Sequence, residues 1–201
     1  MRALLVLVCL GGVASAQDFK VEGTLGTLDD ASVQLVVQKH AAALETCFTD
    51  VAKTLRYVGG PVRLTLRVAV DGSVKRVAAI SELGSWAVEK CLMAQAKKLQ
   101  FARPRGGEAE VALPFEFTAR TASTSGTLGG IDDVEKSIAR CGRRPEGTGV
   151  VFYVGPGGKI TSAGFSSDAP LSESWANCAA TSARKAKLED PRGKVVKVVL
   201  P

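Results

Sequence analysis

The stretch CLMAQAKKLQFARPRGGEAEVALP, from Cys91 to Pro114, decides the fold because the chain contains a second version of it. From Cys178 to Pro201 the sequence reads CAATSARKAKLEDPRGKVVKVVLP. The two stretches align without a gap, with cysteine on cysteine, Pro-Arg-Gly on Pro-Arg-Gly and the closing Leu-Pro on Leu-Pro. A match of this length indicates an internal repeat, and we expect each copy to form one structural unit.

The correspondence continues upstream of these two stretches. The phrase GTLGTLDD at 23–30 returns as GTLGGIDD at 126–133, and the next cysteines are Cys47 and Cys141. The repeat therefore covers most of the chain, and it predicts two tandem units.

The repeat also places the boundaries of the units. The first unit covers residues 17–120 and the second, shortened unit covers 121–201, while residues 1–16 are set apart as a signal peptide. The second unit opens on TASTSG at 121–126, a polar run that we interpret as a linker.

Periodicity predicts the same order of elements in each unit. Asp29 and Asp30 precede apolar residues at helical spacing, and an Asp side chain can accept from the free N–H groups of a helix start. Segment 62–70 alternates apolar and polar residues, as a half-buried strand does, and Asp71-Gly72 is typical of a hairpin turn. With a second helix and a third strand, we predict an α+β fold of two αββαβ units, each a three-stranded antiparallel sheet packed by two helices.

The N-terminus has the pattern of a secretory signal peptide. Arg2 precedes a short apolar run, and Ala14-Ser15-Ala16 is a cleavage motif. We expect cleavage after Ala16, since the alternative, lipid modification at Cys9, fits poorly with the preceding Val8. The apolar run is too short for a membrane span. The chain is therefore expected to be periplasmic or secreted, without a transmembrane anchor.

Composition limits the class of partner. The 201 residues are 46% hydrophobic, which is enough for a buried core, and 26 Lys and Arg against 20 Asp and Glu give a net charge of +6. This mild excess favours anionic partners. Nucleic acid is not an expected partner, because of the compartment and because the chain lacks aromatic residues for base stacking.

Taken together, the motifs resemble one known domain family. The chain is similar to the C-terminal domain of TonB and TolA type energy transducers, in the variant found in gliding-motility and other envelope proteins of myxobacteria-like bacteria. The matching features are a His and a Cys-aromatic pair on the first helix, a D-G hairpin, a second Cys, F-x-x-P-x-G-G and a P-F-x-F strand. These are His40, Cys47, Phe48, Asp71, Gly72, Cys91, Phe101, Pro104, Gly106, Gly107, Pro114, Phe115 and Phe117.

The second copy matches this pattern in part: it has no His and no P-F-x-F end. The resemblance implies a non-catalytic periplasmic domain that contacts other envelope proteins, often by adding a strand to them. A cleavable signal in place of an anchor, and the lack of a Pro-rich spacer, depart from the family plan and argue against energy transduction. What carries over is an interaction module, an accessory of a TonB/Tol-like or motility complex.

The four cysteines of the predicted mature chain allow three connectivities. Each unit has one cysteine on each of its two predicted helices, and this recurrence favours Cys47–Cys91 and Cys141–Cys178. An oxidising compartment supports pairing. Four buried free thiols are the alternative, and a redox-active pair is disfavoured because no C-x-x-C occurs.

No catalytic, metal or cofactor site is predicted. His40 lies seven residues before Cys47, which is roughly 10.5 Å along a helix and too far for a nucleophile and its base. We expect His40 to be a packed helix residue. GPGGK at 155–159 has the composition of a phosphate loop without its spacing, and its repeat partner is a hairpin turn, so we interpret it as a turn.

Two surfaces are candidates for binding. The last strand of the first unit, with Val111, Leu113, Phe115 and Phe117, can lie at a sheet edge and pair with a strand of an envelope protein, although Pro114 can instead protect that edge. The alternative is an anionic envelope polymer, peptidoglycan or lipopolysaccharide, bound by basic helix faces. Their residues are Lys97, Lys98, Arg103 and Arg105, and Arg184, Lys185, Lys187, Arg192 and Lys194.

Overall fold

The computed structural model describes residues 25–200, so the predicted signal peptide lies outside the described residues. The fold is α+β, as predicted, with four helices and two sheets in this range. The helices are α1 (Asp30–Ala52), α2 (Trp86–Ala96), α3 (Ile131–Ala139) and α4 (Glu173–Ala183). The strands are β1 (Gly60–Val68), β2 (Val74–Ser81), β3 (Ala109–Phe117), β4 (Thr124–Ser125), β5 (Gly149–Gly155), β6 (Lys159–Ser166) and β7 (Val196–Leu200).

The first sheet has the order β2-β1-β3 and is antiparallel throughout. Leu64 pairs with Ala79 on one side and with Leu113 on the other. The alternate residues of β1 are at most 1% exposed, which confirms the predicted one-sided burial: Val62, Leu64, Leu66 and Val68. The inner face of this sheet holds the first core against α1 and α2.

The hairpin between β1 and β2 uses the predicted Asp-Gly turn. The Asp71 carboxylate accepts from the Ser73 backbone N–H at 2.9 Å and from its hydroxyl at 2.7 Å. Gly72 has φ 88°, and a Cβ there would lie 2.1 Å from the Phe101 carbonyl oxygen. Both the left-handed backbone and the close approach therefore require glycine.

The second sheet has the order β4-β7-β5-β6 and is mixed. Our prediction of a three-stranded sheet is wrong here, because the polar segment 121–126 supplies a fourth strand. Thr124 N–H donates to Val195 O at 3.0 Å and Gly126 N–H donates to Lys197 O at 3.1 Å, so β4 runs parallel to β7. The segment is thus part of the sheet and not a free linker.

The two sheets have matching registers. Val150 pairs with Phe165 and Leu200, as Leu64 pairs with Ala79 and Leu113. The register of residue pairs also shifts at corresponding points. The shift lies between Arg67 and Val68 in the β1–β2 pair and between Tyr153 and Val154 in the β5–β6 pair.

The first helices of the two halves begin differently. Asp29 caps α1, with its carboxylate accepting from Ser32 N–H at 2.9 Å, as the sequence predicted. The N-cap of α3 is Gly130, at φ 94°, and Asp132 and Asp133 lie inside the first turn. Their negative charges interact favourably with the positive end of the helix dipole, but neither side chain caps the helix.

The first half (25–120) and the second half (121–200) pack directly on each other. Helix α2 contacts the first sheet and also β6 of the second. The Ser167 N–H donates to Ala79 O at 2.8 Å, and the Ser162 hydroxyl donates to Gly84 O at 2.7 Å. Trp86 of α2 belongs to the core of the second half. The cores of the two halves therefore lie next to each other, with Met93 of α2 packed against both.

Candidate functional site

Both predicted disulfides are present. Cys47–Cys91 joins α1 to α2 with 5.6 Å between the Cα atoms, and Cys141–Cys178 joins the end of α3 to α4 with 5.7 Å. By closing a loop, each disulfide should add about 4 kcal/mol to the free energy of unfolding in the chain-entropy model. All four sulfurs are engaged, so Cys47 is not a free nucleophile.

Strand β3 lies at the outer side of its sheet and shows two faces. Val111, Leu113 and Phe117 are buried, and Phe117 stacks on Phe48 with 4.7 Å between the ring centroids. Phe115 is half-buried. Of the side chains predicted to bind a partner, three therefore serve the core, and a partner would meet the strand's backbone and Phe115.

The open side of β3 can be identified from one hydrogen bond. Gly26 N–H donates to Glu108 O at 2.7 Å on the side away from β1. Because backbone groups alternate along a strand, the N–H and C=O groups of the following even-numbered residues point to the same side. We call this row the β3 edge: Glu110, Ala112, Pro114 and Glu116.

Pro114 lies within the β3 edge. Its missing N–H therefore belongs to the open side, and its position opposite Arg63 costs the β1–β3 ladder no hydrogen bond. Within the described range 25–200, no strand pairs with the edge from Ala112 to Glu116. The outward N–H group of Ala112 precedes the proline, and that of Glu116 follows it.

A groove runs between the β3 edge and the N-terminal half of α1, and we call it the edge groove. Its apolar residues are Val33 and Val37 from the helix and Leu113 and Phe115 from the strand, and polar residues complete the lining: Asp30, Gln34, Gln38. An exposed strand edge beside an apolar helix face is the arrangement that receives an extended peptide.

Charges surround the edge unevenly. Arg67 and Lys75 both pair with Glu108, the former at 3.1 Å, and these hydrogen bonds lower the pKa of the Glu108 carboxyl. Glu110 and Glu116 are exposed and form no ion pair with any residue that the structure describes.

The basic residues of the alternative site lie in two groups. Each group begins at the C-terminal end of the second helix of its half and continues into the following loop. All of the side chains are exposed, and in the described part of the chain none forms an ion pair: Lys97, Lys98, Arg103, Arg105, Arg184, Lys185, Lys187, Arg192 and Lys194. Lys97 Nζ is hydrogen-bonded to the Lys75 carbonyl.

His40 lies on α1 and the GPGG segment forms a turn, as the sequence predicted. His40 is half-buried, and its Nδ1 donates to Val36 O of the same helix at 2.9 Å. Pro156–Gly158 form the turn between β5 and β6, where Gly158 approaches the Leu188 carbonyl too closely for any Cβ.

Glu89 is a feature that sequence reasoning missed. It lies on α2, is 0% exposed, and accepts from the Ser81 hydroxyl at 2.9 Å and from Phe165 N–H of the second half at 2.8 Å. Burial raises the pKa of this carboxyl to about 7, although hydrogen bonds from Phe165, Ser81 and Ser85 oppose the rise. Gly164 makes room for it, since a Cβ there would lie 2.4 Å from Glu89 Oε1.

No signal in the sequence marks Glu89 as buried. It stands beside Val88 and Lys90 in an ordinary amphipathic helix. Its burial depends on β6, which covers the side of α2 that would face water in the first half alone. Within the described residues no group of three or more His, Cys, Asp or Glu could hold a metal ion.

Part of the chain is similar to a known protein. The chain is 37% identical over 94 residues to the tyrosine-protein kinase MasK of Myxococcus xanthus (strain DK1622). The match covers 47% of this chain and 14% of the length of that kinase. No protein-family model and no solved structure matches the chain. Among residues 25–200, no helix combines the length and the apolar character that a membrane span requires.

Proposed function

We propose that this chain is an exported, non-catalytic interaction module of the cell envelope, which binds an extended segment of another envelope protein at the β3 edge. The observation that carries the proposal is the edge groove. It places unpaired backbone groups of β3 beside the apolar side chains of Val33, Val37 and Phe115.

We further propose that the halves are tandem TonB/TolA-like αββαβ units, the second shortened. The matching sheet registers and the equivalent disulfides support this interpretation. The similar protein comes from Myxococcus, in keeping with the variant that the motifs resemble. Two disulfides are typical of exported proteins, which supports a location outside the cytoplasm.

In the proposed complex, the backbone of the partner extends the first sheet by one strand. The Ala112 and Glu116 N–H groups and the outward carbonyls of β3 pair with it, while its alternate side chains enter the edge groove. Pro114 leaves one bond unmade, so this edge favours a partner that also fills the groove over one that offers backbone pairing alone.

The experiment begins with random short peptides displayed on phage and selected on the folded protein. A selected peptide is then synthesised, and amide hydrogen exchange is measured with and without it. We expect slower exchange at Ala112 and Glu116. Protection confined to the rest of the protein would overturn strand addition at β3.

A proline substitution provides a matched pair of variants. Ala112→Pro removes an outward N–H from β3, and Val199→Pro makes the same change on β7, whose outward row includes Lys197 and Val199. We expect Ala112→Pro to abolish peptide binding and Val199→Pro to leave it intact. Equal binding by both variants would contradict the proposal.

The polymer alternative rests on the exposed, unpaired basic side chains described above. Ionic strength separates the two functions, because binding to an anionic polymer through surface charge weakens steeply with salt, whereas strand addition does not. Sedimentation with purified peptidoglycan at low and high salt gives this measurement. Replacing Lys97, Lys98, Arg184 and Lys185 with Gln would abolish polymer binding only under the alternative.

A further inference from the structure

The two disulfides differ in their exposure to solvent. Cys47 is 5% exposed and belongs to the first core, while its partner Cys91 is half-buried. In the second half Cys178 is exposed and Cys141 is half-buried. Thiol–disulfide exchange requires that a thiolate reach one sulfur of the bond. Access therefore favours the second disulfide, with attack at Cys178.

A hydroxyl group lies beside the sulfurs of the second disulfide. Ser182 follows Cys178 by one turn of α4, and its oxygen is 3.3 Å from Cys141 Sγ and 3.9 Å from Cys178 Sγ. A disulfide sulfur carries no proton, so the hydroxyl is the donor. When the bond opens, this donor is in place to stabilise a thiolate at Cys141.

The chain around Cys141 is basic. Arg140, Arg143 and Arg144 flank it, and all three are exposed and form no ion pair within the described range 25–200. Cys141 follows the end of α3, where the helix dipole contributes about half a negative charge, and the three arginines exceed it. Positive neighbours stabilise a thiolate and make it a better leaving group.

The first disulfide has the opposite surroundings. Cys47 packs with Leu44 and Phe48 in the core, and the nearest charged residues along the chain are acidic, Glu45 and Asp50. Desolvation and negative neighbours both disfavour a thiolate. Burial also blocks attack on Cys47 itself. This bond should therefore open more slowly from either side.

The second disulfide anchors a short helix. Helix α3 has nine residues, of which Val134 and Ile138 are buried, and no side chain caps its start. A helix of this length is marginal in water without tertiary contacts. The bond from Cys141 to Cys178 holds its C-terminal end on α4. Opening the bond should therefore loosen α3.

We propose that Cys178 is a thiol–disulfide exchange site, at which a protein dithiol reduces the second disulfide and loosens α3. A thiolate of the dithiol attacks Cys178 Sγ and forms a mixed disulfide, while the electron pair of the broken bond leaves on Cys141. The second thiol of the reductant then attacks its own sulfur in the mixed disulfide and releases Cys178. The chain gains two electrons and two protons, and the dithiol becomes a disulfide.

A trapping experiment tests which sulfur is attacked. The oxidised full chain is incubated with a thioredoxin whose second active-site cysteine is replaced with Ser, so that the mixed disulfide persists. Linked peptides are then mapped by mass spectrometry. We expect the link at Cys178. A link at any other cysteine, or no link, would overturn the proposal.

The two disulfides can be compared within the same molecule. Reduction by dithiothreitol is stopped at intervals with N-ethylmaleimide, and the labelled peptides are quantified by mass spectrometry. We expect Cys141 and Cys178 to be labelled at least about 10-fold faster than Cys47 and Cys91. Equal rates, or faster opening of Cys47–Cys91, would contradict the proposal.

Substitutions separate the chemistry of the site from its exposure. Ser182→Ala should slow the opening of the second disulfide about 2- to 10-fold, because the leaving thiolate loses its hydrogen bond. Ser174→Ala, on the other side of Cys178 in α4, is the control and should leave the rate unchanged. Equal rates in the two variants, with circular dichroism showing both folded, would remove Ser182 from the site.

The consequence for α3 is measured separately. The second disulfide is opened selectively and alkylated, and amide hydrogen exchange is compared with that of the oxidised chain. We expect faster exchange over 131–139 and no change at Ala112 and Glu116, since Cys47–Cys91 stays closed. Unchanged exchange over 131–139 would show that the bond does not anchor α3, and the loosening of α3 would then be overturned.

Discussion

Strands β3 and β7 occupy corresponding positions in the two sheets, yet they border different grooves. Strand β3 lines the edge groove along α1, whereas β7 contributes only Leu200 to a pocket beside the end of α3. A short piece of preceding chain pairs with the start of each: Gly26 beside Ala109, and Thr124–Ser125 beside Val196–Lys197. Strand β3 then continues for nine residues in all, next to the 23-residue α1, whereas β7 has five residues and α3 has nine. A groove for a peptide requires both a long edge and a long helix, and the first half alone has them.

The shorter half contributes in another way. Its β6 covers α2, buries Glu89 and continues the hydrogen bonding of β2 through Ser167. The structure thus divides into a half that presents an edge and a half that closes the opposite side of the same sheet. Changes that act on only one half should therefore separate these two roles.

The largest effects should come from the disulfides. Replacing both cysteines of either pair with Ala should lower the free energy of unfolding by about 4 kcal/mol. Peptide binding should distinguish the pairs, because Cys47–Cys91 holds α1, which forms one wall of the edge groove. Denaturant unfolding and peptide affinity provide the measurements. An equal loss of affinity on removing Cys141–Cys178, in protein that remains folded, would contradict the division of roles.

Gly164→Ala tests the contact between α2 and β6, which we call the seam between the halves. The added Cβ would lie 2.4 Å from both the Ser85 nitrogen and Glu89 Oε1, so α2 and β6 must separate, at a cost of roughly 3 kcal/mol. Gly126→Ala is the control, because its nearest contact would be an ordinary 3.7 Å. Thermal unfolding of both variants checks the difference. A control as destabilised as Gly164→Ala would show that the seam is not the cause.

Glu89 makes the same seam sensitive to pH. Its pKa rises from 4.5 to about 7 on folding, so the folded state retains a proton that the unfolded state releases. The contribution of Glu89 to stability should therefore be largest below pH 4.5, fall by roughly 3 kcal/mol as the pH rises to about 7, and stay level above it. Unfolding free energies across this range, compared with Glu89→Gln, check the expectation. The dependence should flatten in the variant, and an unchanged profile would assign it to another group.

The smallest effect concerns the helix caps. Asp29→Ala should cost about 1 kcal/mol, because it removes the acceptor of the Ser32 N–H at the start of α1. Asp132→Ala in α3 should lower the free energy of unfolding by only a few tenths of a kcal/mol, because this side chain lies in the first turn and acts only through the helix dipole. Chemical denaturation resolves the two, and equal costs would mean that α3 also depends on an aspartate cap.

The features that the sequence predicted correctly are mostly local. The alternation in Val62–Val68, the Asp71-Gly72 turn and the Asp29 cap each depend on residues a few positions apart. The disulfides are an exception, and they were predictable because the repeat compares two copies of the same pattern. The prediction of a linker at 121–126 was wrong. A polar run such as TASTSG carries no sign of a partner strand, and β7 lies about seventy residues further along the chain.

By itself the sequence determined the main helices and strands apart from β4, the buried side of β1 and the pairing of the cysteines. It could do so because periodicity and repetition are properties of the chain. The tertiary structure alone decided that β6 covers α2, that Glu89 lies away from water, and that the open side of β3 carries Pro114. A pattern of apolar and polar residues indicates that a face will be buried or exposed, but it does not indicate which distant element buries it.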